Sequence, residues 1–113
     1  MRTLHVKVAG VTYEGRQEVL ARLRGNEPIR LEPEPTNKYD PNAIAVKVAL
    51  KDGVFHCGYI PREIAAQIAP VMDGESFMCK IETITGGFEI DDGEIANYGL
   101  RLVVELPDSD VQP

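Results

Sequence analysis

The chain has 113 residues, 43% of them hydrophobic and 27% charged, which predicts a single globular domain with an ordinary buried core. No run of about 18 apolar residues occurs and the first residues alternate polar with apolar, so we expect a cytoplasmic protein with no membrane span or signal peptide. Twelve Lys and Arg against eighteen Asp and Glu give a net charge of −6, which disfavours tight non-specific binding along a duplex.

The first quarter of the chain predicts a strand followed by a helix. Residues 4–8 alternate apolar with other side chains, the pattern of a half-buried strand. Residues 16–24 place their apolar side chains on one helical face and predict a short helix that ends at Gly25. The arginines of this helix, beginning with Arg16, are predicted to point largely outward.

The middle of the chain predicts a hairpin of two strands. Residues 43–50 are apolar enough for a mostly buried strand, and residues 51–53 are a tight turn signal. Residues 54–60 then form the antiparallel partner. Gly58 inside this strand indicates a bulge or a close backbone approach, with a ligand as one candidate for what approaches.

The second half predicts a helix and the strands that complete the sheet. Residues 62–69 carry an apolar face, and the helix is predicted to break at Pro70, which has no backbone N–H. Alternation predicts a strand over residues 77–84 and a closing strand over residues 100–106. Residues 85–96 are predicted to form a long, mobile, acidic hairpin connection with a short strand around residues 88–90, and residues 107–113 a disordered tail. The prediction is a mainly β fold, a small OB-like β-barrel of about six strands with two short helices, formed as one domain by residues 1–106.

The alternating residues 29–31 predict a further strand, and residues 35–42 form a polar loop between it and the strand of residues 43–50. Asn37 and Asp40 can each bond the backbone two residues further on, so the loop should be stiff. The Tyr39 ring on such a loop can stack on a base, worth ~1–3 kcal/mol, and the Asp40 carboxylate can accept a hydrogen bond from a sugar hydroxyl. From the residues alone, the alternative stays open that Asp40 only caps the turn and Tyr39 only covers the barrel rim.

Two segments resemble a known family. Residues 37–44, Asn-Lys-Tyr-Asp-Pro-Asn-Ala-Ile, together with residues 57–63, Cys-Gly-Tyr-Ile-Pro-Arg-Glu, resemble the HIRAN domain, and the resemblance runs from about residue 8 to residue 106. This module occurs alone in bacteria and phages and in front of Snf-type DNA translocases. The resemblance implies an OB-like barrel that binds single-stranded DNA, in the best-understood relatives at a free 3′ end, during DNA repair or replication-fork processing.

The resemblance also implies a set of site residues. The DNA-binding residues that it suggests are Tyr13, Arg16, Asn37, Tyr39, Asp40, Tyr59 and Arg62. Tyr39 and Asp40 occupy the positions that hold the strand end, and Tyr13 matches a second stacking aromatic. By itself, Tyr13 would be interpreted as a half-buried barrel tyrosine.

The chain departs from its better-studied relatives at two of the implied positions. Thr12 stands where they carry an arginine, and Arg16 is the candidate replacement. Tyr59 stands where they often carry a histidine. Arg62 lies at a predicted helix N-terminus, against the preference of the helix dipole, which hints at a phosphate partner, although a solvated arginine is the alternative.

Nothing in the sequence argues for catalysis. No G-x-S-x-G, P-loop or H-E-x-x-H motif occurs, so we expect a protein that is not an enzyme and needs no cofactor or metal. Cys57 and Cys79 are predicted to be small buried hydrophobes. A protein-interaction module with an acidic surface is the main alternative function, and a small nuclease using the carboxylates of residues 91–94 is a third. A helicase or nuclease is a possible protein partner.

Overall fold

The computed structural model describes residues 2–107 and contains six strands and two α-helices. In chain order the elements are β1 Arg2–Lys7, α1 Arg16–Leu20, β2 Ile29–Pro33, β3 Ile44–Leu50, β4 Gly53–Tyr59, α2 Arg62–Met72, β5 Phe77–Thr85, a 3-10 helix Asp91–Gly93 and β6 Gly99–Leu106. The predicted mainly β fold with six strands and two short helices is confirmed. From residue 108 onward, the predicted tail lies outside the described residues.

All six strands belong to one antiparallel sheet with the order β1-β6-β5-β2-β3-β4. The edge strands β1 and β4 do not pair along their length, so the sheet is not closed into a barrel. An isolated bridge joins the two edges: Ala9 N donates to Tyr59 O across 2.8 Å, and Tyr59 N donates to Ala9 O across 2.9 Å. The ends of the two edge strands therefore meet at one point, although no continuous ladder completes a barrel.

A bulge in β4 makes this meeting possible. The β3–β4 register shifts between Val46 and Lys47, and such an irregularity bends a strand. Gly58 follows with a φ of 153°, and a Cβ there would collide with the Ala9 carbonyl oxygen and lie 2.7 Å from Val8 Cγ1. The predicted bulge and close approach at Gly58 are both confirmed, and what approaches is the protein's own backbone.

One core lies on the concave side of the sheet. Along β6 the even-numbered residues 100–106 are buried, as period-2 alternation requires, and β3 is buried over most of its length. Helix α2 covers this face with Ala65, Ile68 and Met72, which are at most 1% exposed. The strands thus stack their apolar faces on α2, and their connections are left to form the surface.

The predicted break at Pro70 is wrong, because α2 continues through it to Met72. Proline removes the hydrogen bond that the carbonyl of Ala66 would accept, but both residues lie on the exposed side of the helix. There water can satisfy the free carbonyl, while Ile68 and Met72 hold the helix on the core. Packing therefore outweighs the local cost.

Helix α1 is shorter than predicted and ends at Leu20. The next residues continue as a tighter turn, in which Arg22 N and Leu23 N donate to carbonyls three residues back, across 3.0 and 3.1 Å. Within residues 2–107 no helix has the length and apolar character needed to cross a bilayer.

Candidate nucleic-acid interface

A shallow groove lies where the two edge strands meet. Its cavity volume is about 510 Å³. The residues that line it are Ala9, Gly10, Tyr13, Glu14, Arg16, Tyr39 and Tyr59. Four of the site residues suggested by sequence, three tyrosines and an arginine, are therefore brought together from segments far apart in the chain.

The loop beside the groove is held by its own side chains, as predicted. Asn37 Oδ1 accepts hydrogen bonds from Tyr39 N at 2.8 Å and Asp40 N at 3.1 Å. Asp40 Oδ1 accepts one from Asn42 N at 2.9 Å, and Ala43 N donates to Asp40 O across 3.0 Å. The loop conformation is thus fixed before any ligand arrives, with Asn37 acting from inside it.

The Tyr39 ring stands out from this loop and is 79% exposed. The Nζ of Lys38 lies 5.1 Å from the centroid of the Tyr39 ring. Burial in the core therefore does not explain this tyrosine. A flat aromatic surface on a rigid loop faces solvent.

Asp40 caps the turn, which is one of the two roles that the sequence left open. One oxygen caps the turn at Asn42, while the other, Oδ2, lies 3.7 Å from Nε of Arg62. The Asp40 side chain is only 17% exposed, whereas that of Arg62 is 77% exposed. This ion pair is long and largely solvated on the arginine side, so it is weak, and Arg62 can exchange it for another anion.

Arg16 lies inside the molecule, so the prediction that it points outward is wrong. Its Nη1 donates to Gly10 O across 2.7 Å, its Nη2 lies 2.8 Å from Glu14 Oε1, and its side chain is only 8% exposed. The guanidinium carbon lies 5.5 Å from the Tyr59 ring centroid. Gly15, directly before Arg16, has the left-handed conformation, with a φ of 75°. Arg16 forms the floor of the groove.

Glu34 is a site residue that sequence reasoning missed. Its Oε1 accepts hydrogen bonds from the Tyr59 hydroxyl and from Asn37 Nδ2, both across 3.0 Å. Burial, and then this bond to the Glu34 carboxylate, raise the pKa of Tyr59, so the phenol stays protonated and donates. The only local signal for Glu34 was its position between two prolines, since its partner Tyr59 is 25 residues away.

His56 and Cys57 support the groove from behind. The His56 ring meets the Tyr59 ring edge to face, with centroids 4.8 Å apart, and His56 Nε2 is buried without a hydrogen-bond partner. Burial, and then the nearby Arg16 charge, lower the pKa of His56. Burial raises the pKa of both Cys57 and Cys79 to about 12, so the two thiols stay protonated. Cys57 is buried and Cys79 partly buried, and both are free thiols.

The groove is less acidic than the chain as a whole. Of the residues that line it, Glu14 and Arg16 are charged, and they form an ion pair. The local formal charge is therefore zero on a chain whose net charge is −6. Among residues 2–107, no group of three or more His, Cys, Asp or Glu is arranged to hold a metal ion.

Comparisons with known proteins show which family and which solved structures this chain is similar to. The model of the HIRAN domain family matches residues 1–104. The helicase-like transcription factor of Mus musculus is 37% identical over 73 residues, which is 65% of this chain but only 6% of that protein's length. The crystal structure of the HIRAN domain of human HLTF matches 89% of this chain and 74% of that chain, with a TM-score of 0.50 and 25% identity.

The fold is shared more widely. The crystal structure of a protein from Lactobacillus plantarum matches with a TM-score of 0.58 over 92% of this chain and 98% of that chain. At 23% identity this likeness concerns the fold alone.

Proposed function

Since the chain belongs to the HIRAN domain family, we propose that it is a non-catalytic module that binds single-stranded DNA at a free 3′ end. The proposed setting is DNA repair or replication-fork processing in the cytoplasm, beside a helicase or nuclease partner. The proposed domain is residues 1–106.

The observation that carries the proposal is the exposed Tyr39 ring on a loop that is already rigid, next to a carboxylate with one uncapped oxygen. A base stacked on such a ring is worth ~1–3 kcal/mol, whatever its identity. Because the loop is ordered in advance, little binding energy is lost in ordering it. Tyr13, 66% exposed across the groove, supplies a second ring for stacking.

The residues beside Tyr39 suit the end of a strand. In the proposed complex, the terminal 3′-hydroxyl donates a hydrogen bond to Asp40 Oδ2, and Arg62 leaves its 3.7 Å contact to pair with the adjacent phosphate. A 3′-phosphate would bring added negative charge against the Asp40 carboxylate. Discrimination would then come mainly from repulsion of the blocked end.

The charge of the chain is compatible with this mode of binding. Capture of a strand end needs few phosphate contacts, and the groove offers Arg62 and Lys38 as exposed cations. Affinity should therefore depend on salt only shallowly, because the slope follows the number of phosphates neutralised. Arg16 is buried and its Nη1 and Nη2 are already paired, so its proposed contribution is to hold Tyr59 and the groove floor in place.

Fluorescence anisotropy with short 5′-labelled oligonucleotides tests the proposal. The expected result is weaker binding to a 3′-phosphorylated strand than to a 3′-hydroxyl strand, by about tenfold or more, corresponding to ~1.4 kcal/mol. Asp40→Asn should reduce this difference. Asp52→Asn is the matched control, because Asp52 is also a carboxylate paired with an arginine, Arg22 at 2.6 Å, but in the β3–β4 hairpin.

Two outcomes would contradict the proposal in different ways. Equal binding to free and blocked ends would remove end capture and leave general single-strand binding. No binding at low salt, where electrostatic attraction is greatest, would favour the alternative of a protein-interaction module with an acidic surface. Incubation of labelled DNA with magnesium or manganese is expected to produce no cleavage.

A further inference from the structure

The connection between β5 and β6 forms a narrow two-stranded ribbon, residues 86–98, here named the finger. Glu89 and Ile95 face each other in an isolated antiparallel bridge. Gly87 N donates to Ala96 O across 2.8 Å and Ile90 N donates to Glu94 O across 2.7 Å. A 3-10 turn at Asp91–Gly93 closes the tip, so the finger is an ordered hairpin, where the sequence predicted a mobile hairpin connection with a short strand around residues 88–90.

Close contacts at the base of the finger fix its orientation relative to the rest of the domain. Gly86 and Gly87 have φ of 78° and 75°, and a Cβ on either would collide with Asn97 or with the Tyr98 ring. The Gln17 side chain of α1 brackets the Tyr98 backbone: its Nε2 donates to Tyr98 O at 2.9 Å, and its Oε1 accepts from Tyr98 N at 2.7 Å. The finger is therefore anchored to the body of the domain.

The finger exposes three large apolar side chains. Phe88 is 61% exposed, Ile90 46% and Ile95 56%. Since Ile95 is directly opposite Glu89, its side chain lies on the face of the ribbon opposite to that of Phe88 and Ile90. Both faces of the finger thus present apolar surface to solvent. An isolated ribbon of this kind gains by being covered.

The charge of the finger indicates what can cover it. Residues 86–98 carry four carboxylates, Glu89, Asp91, Asp92 and Glu94, and no Lys or Arg. The resulting −4 is two-thirds of the net charge of the chain, −6. Phosphates of a nucleic acid would be repelled, and so would a second copy of the finger. A protein surface with lysines or arginines around an apolar cleft is complementary both to the negative charge and to the apolar side chains of the finger.

We propose that the finger is a docking element that inserts into an apolar cleft rimmed by basic side chains on a partner protein. The finger would lie lengthwise in the cleft, with Phe88 and Ile90 on one wall and Ile95 on the other. The carboxylates at its tip would then pair with basic side chains at one end of the rim. This inference does not rest on DNA binding at the groove, because it uses none of the groove residues.

A synthetic amphipathic helical peptide of leucine and lysine serves as the probe, with a leucine–glutamate peptide and a lysine-only peptide for comparison. Isothermal titration calorimetry should show binding of the leucine–lysine peptide and no binding of the two comparison peptides. The triple variant Phe88→Ser, Ile90→Ser, Ile95→Ser should weaken that binding at least tenfold. A second triple variant, with Asp91→Asn, Asp92→Asn and Glu94→Gln, should also weaken binding of this peptide and make the binding less dependent on salt.

Matched controls separate the finger from general stickiness. Val54→Ser with Met78→Ser removes two apolar side chains that are 60% and 63% exposed elsewhere, and should leave peptide binding unchanged. Oligonucleotide binding should be the same in all variants. The inference is overturned if the leucine–lysine peptide does not bind, if the lysine-only peptide binds equally well, or if the control variant loses as much affinity. Finger-dependent self-association in sedimentation velocity would also overturn it.

Discussion

The Tyr59 hydroxyl donates a hydrogen bond to Glu34 Oε1 across 3.0 Å, and this contact joins the end of β4 to the loop that carries Tyr39. The same oxygen accepts from Asn37 Nδ2, the side chain whose other end fixes the loop backbone. One carboxylate therefore couples the strand junction at Ala9 and Tyr59 to the orientation of the exposed ring.

Glu34→Ala is expected to destabilise the fold by ~1–3 kcal/mol and to weaken oligonucleotide binding, because a half-buried hydroxyl and an amide lose their acceptor. Urea unfolding and anisotropy measure the two effects. Glu34→Gln keeps an acceptor oxygen and should recover most of the stability. It should also lower the pKa of Tyr59 towards its ordinary value, since the carboxylate charge helps to raise it. Phenol titration with Tyr59→Phe as the blank checks this, and an unchanged titration would contradict it.

Tyr39→Ala is expected to reduce single-stranded DNA affinity by about 5- to 150-fold, the loss of one base–aromatic stack of ~1–3 kcal/mol. The free energy of unfolding should change little, because the ring is 79% exposed. Tyr39→Phe keeps the stacking surface and should bind nearly as well as the original. A Tyr39→Ala protein that unfolds more easily but binds DNA normally would show that the ring is structural.

Gly58→Ala is expected to cost clearly more stability than Gly53→Ala. The two glycines have similar φ, 153° and 145°, so each substitution carries backbone strain of ~1–3 kcal/mol. Only the new Cβ at Gly58 meets the Ala9 carbonyl oxygen, whereas at Gly53 the nearest atoms lie 3.8 Å away in Phe55. Chemical denaturation of both variants gives the comparison. Equal losses would mean that Ala9 can move away freely.

Stability is expected to fall as the pH drops below about 6.5, and His56 should account for part of the fall. Burial lowers the pKa of His56 in the folded protein below its ordinary value of 6.5. Between these two values the unfolded chain binds a proton that the folded chain does not, so lowering the pH favours unfolding; above 6.5 neither state is protonated. His56→Gln should therefore lose less stability than the original between about pH 7 and pH 5.

The control for this pH dependence is His5→Gln. His5 is an exposed histidine whose Nδ1 lies 3.1 Å from Glu82 Oε2. If both histidine variants showed the same pH profile as the original, other groups would be responsible.

Features that depend on local chemistry were predictable from the sequence. Period-2 alternation located the strands, and the Asx side chains at Asn37 and Asp40 indicated a stiff loop, because such bonds span only two or three residues. Gly58 inside a strand indicated a close approach of another backbone segment, because only a residue without a Cβ tolerates such an approach. The resemblance to the HIRAN domain added the candidate residues, of which Tyr39 is confirmed to be exposed.

Features that depend on contacts between distant segments were not predictable. Tertiary packing overrides the local tendency at Pro70 and at Arg16. Packing on the core holds α2 helical through Pro70, and Arg16 is buried against Gly10 and Tyr59 instead of facing solvent. Glu34 joined the site only through partners in the folded state. The sequence by itself determined the strands, the turns and the stiffness of the loop, since these involve neighbours along the chain. Only the tertiary structure decided which side chains share the groove, because they come from segments that lie far apart in the chain and that folding brings together.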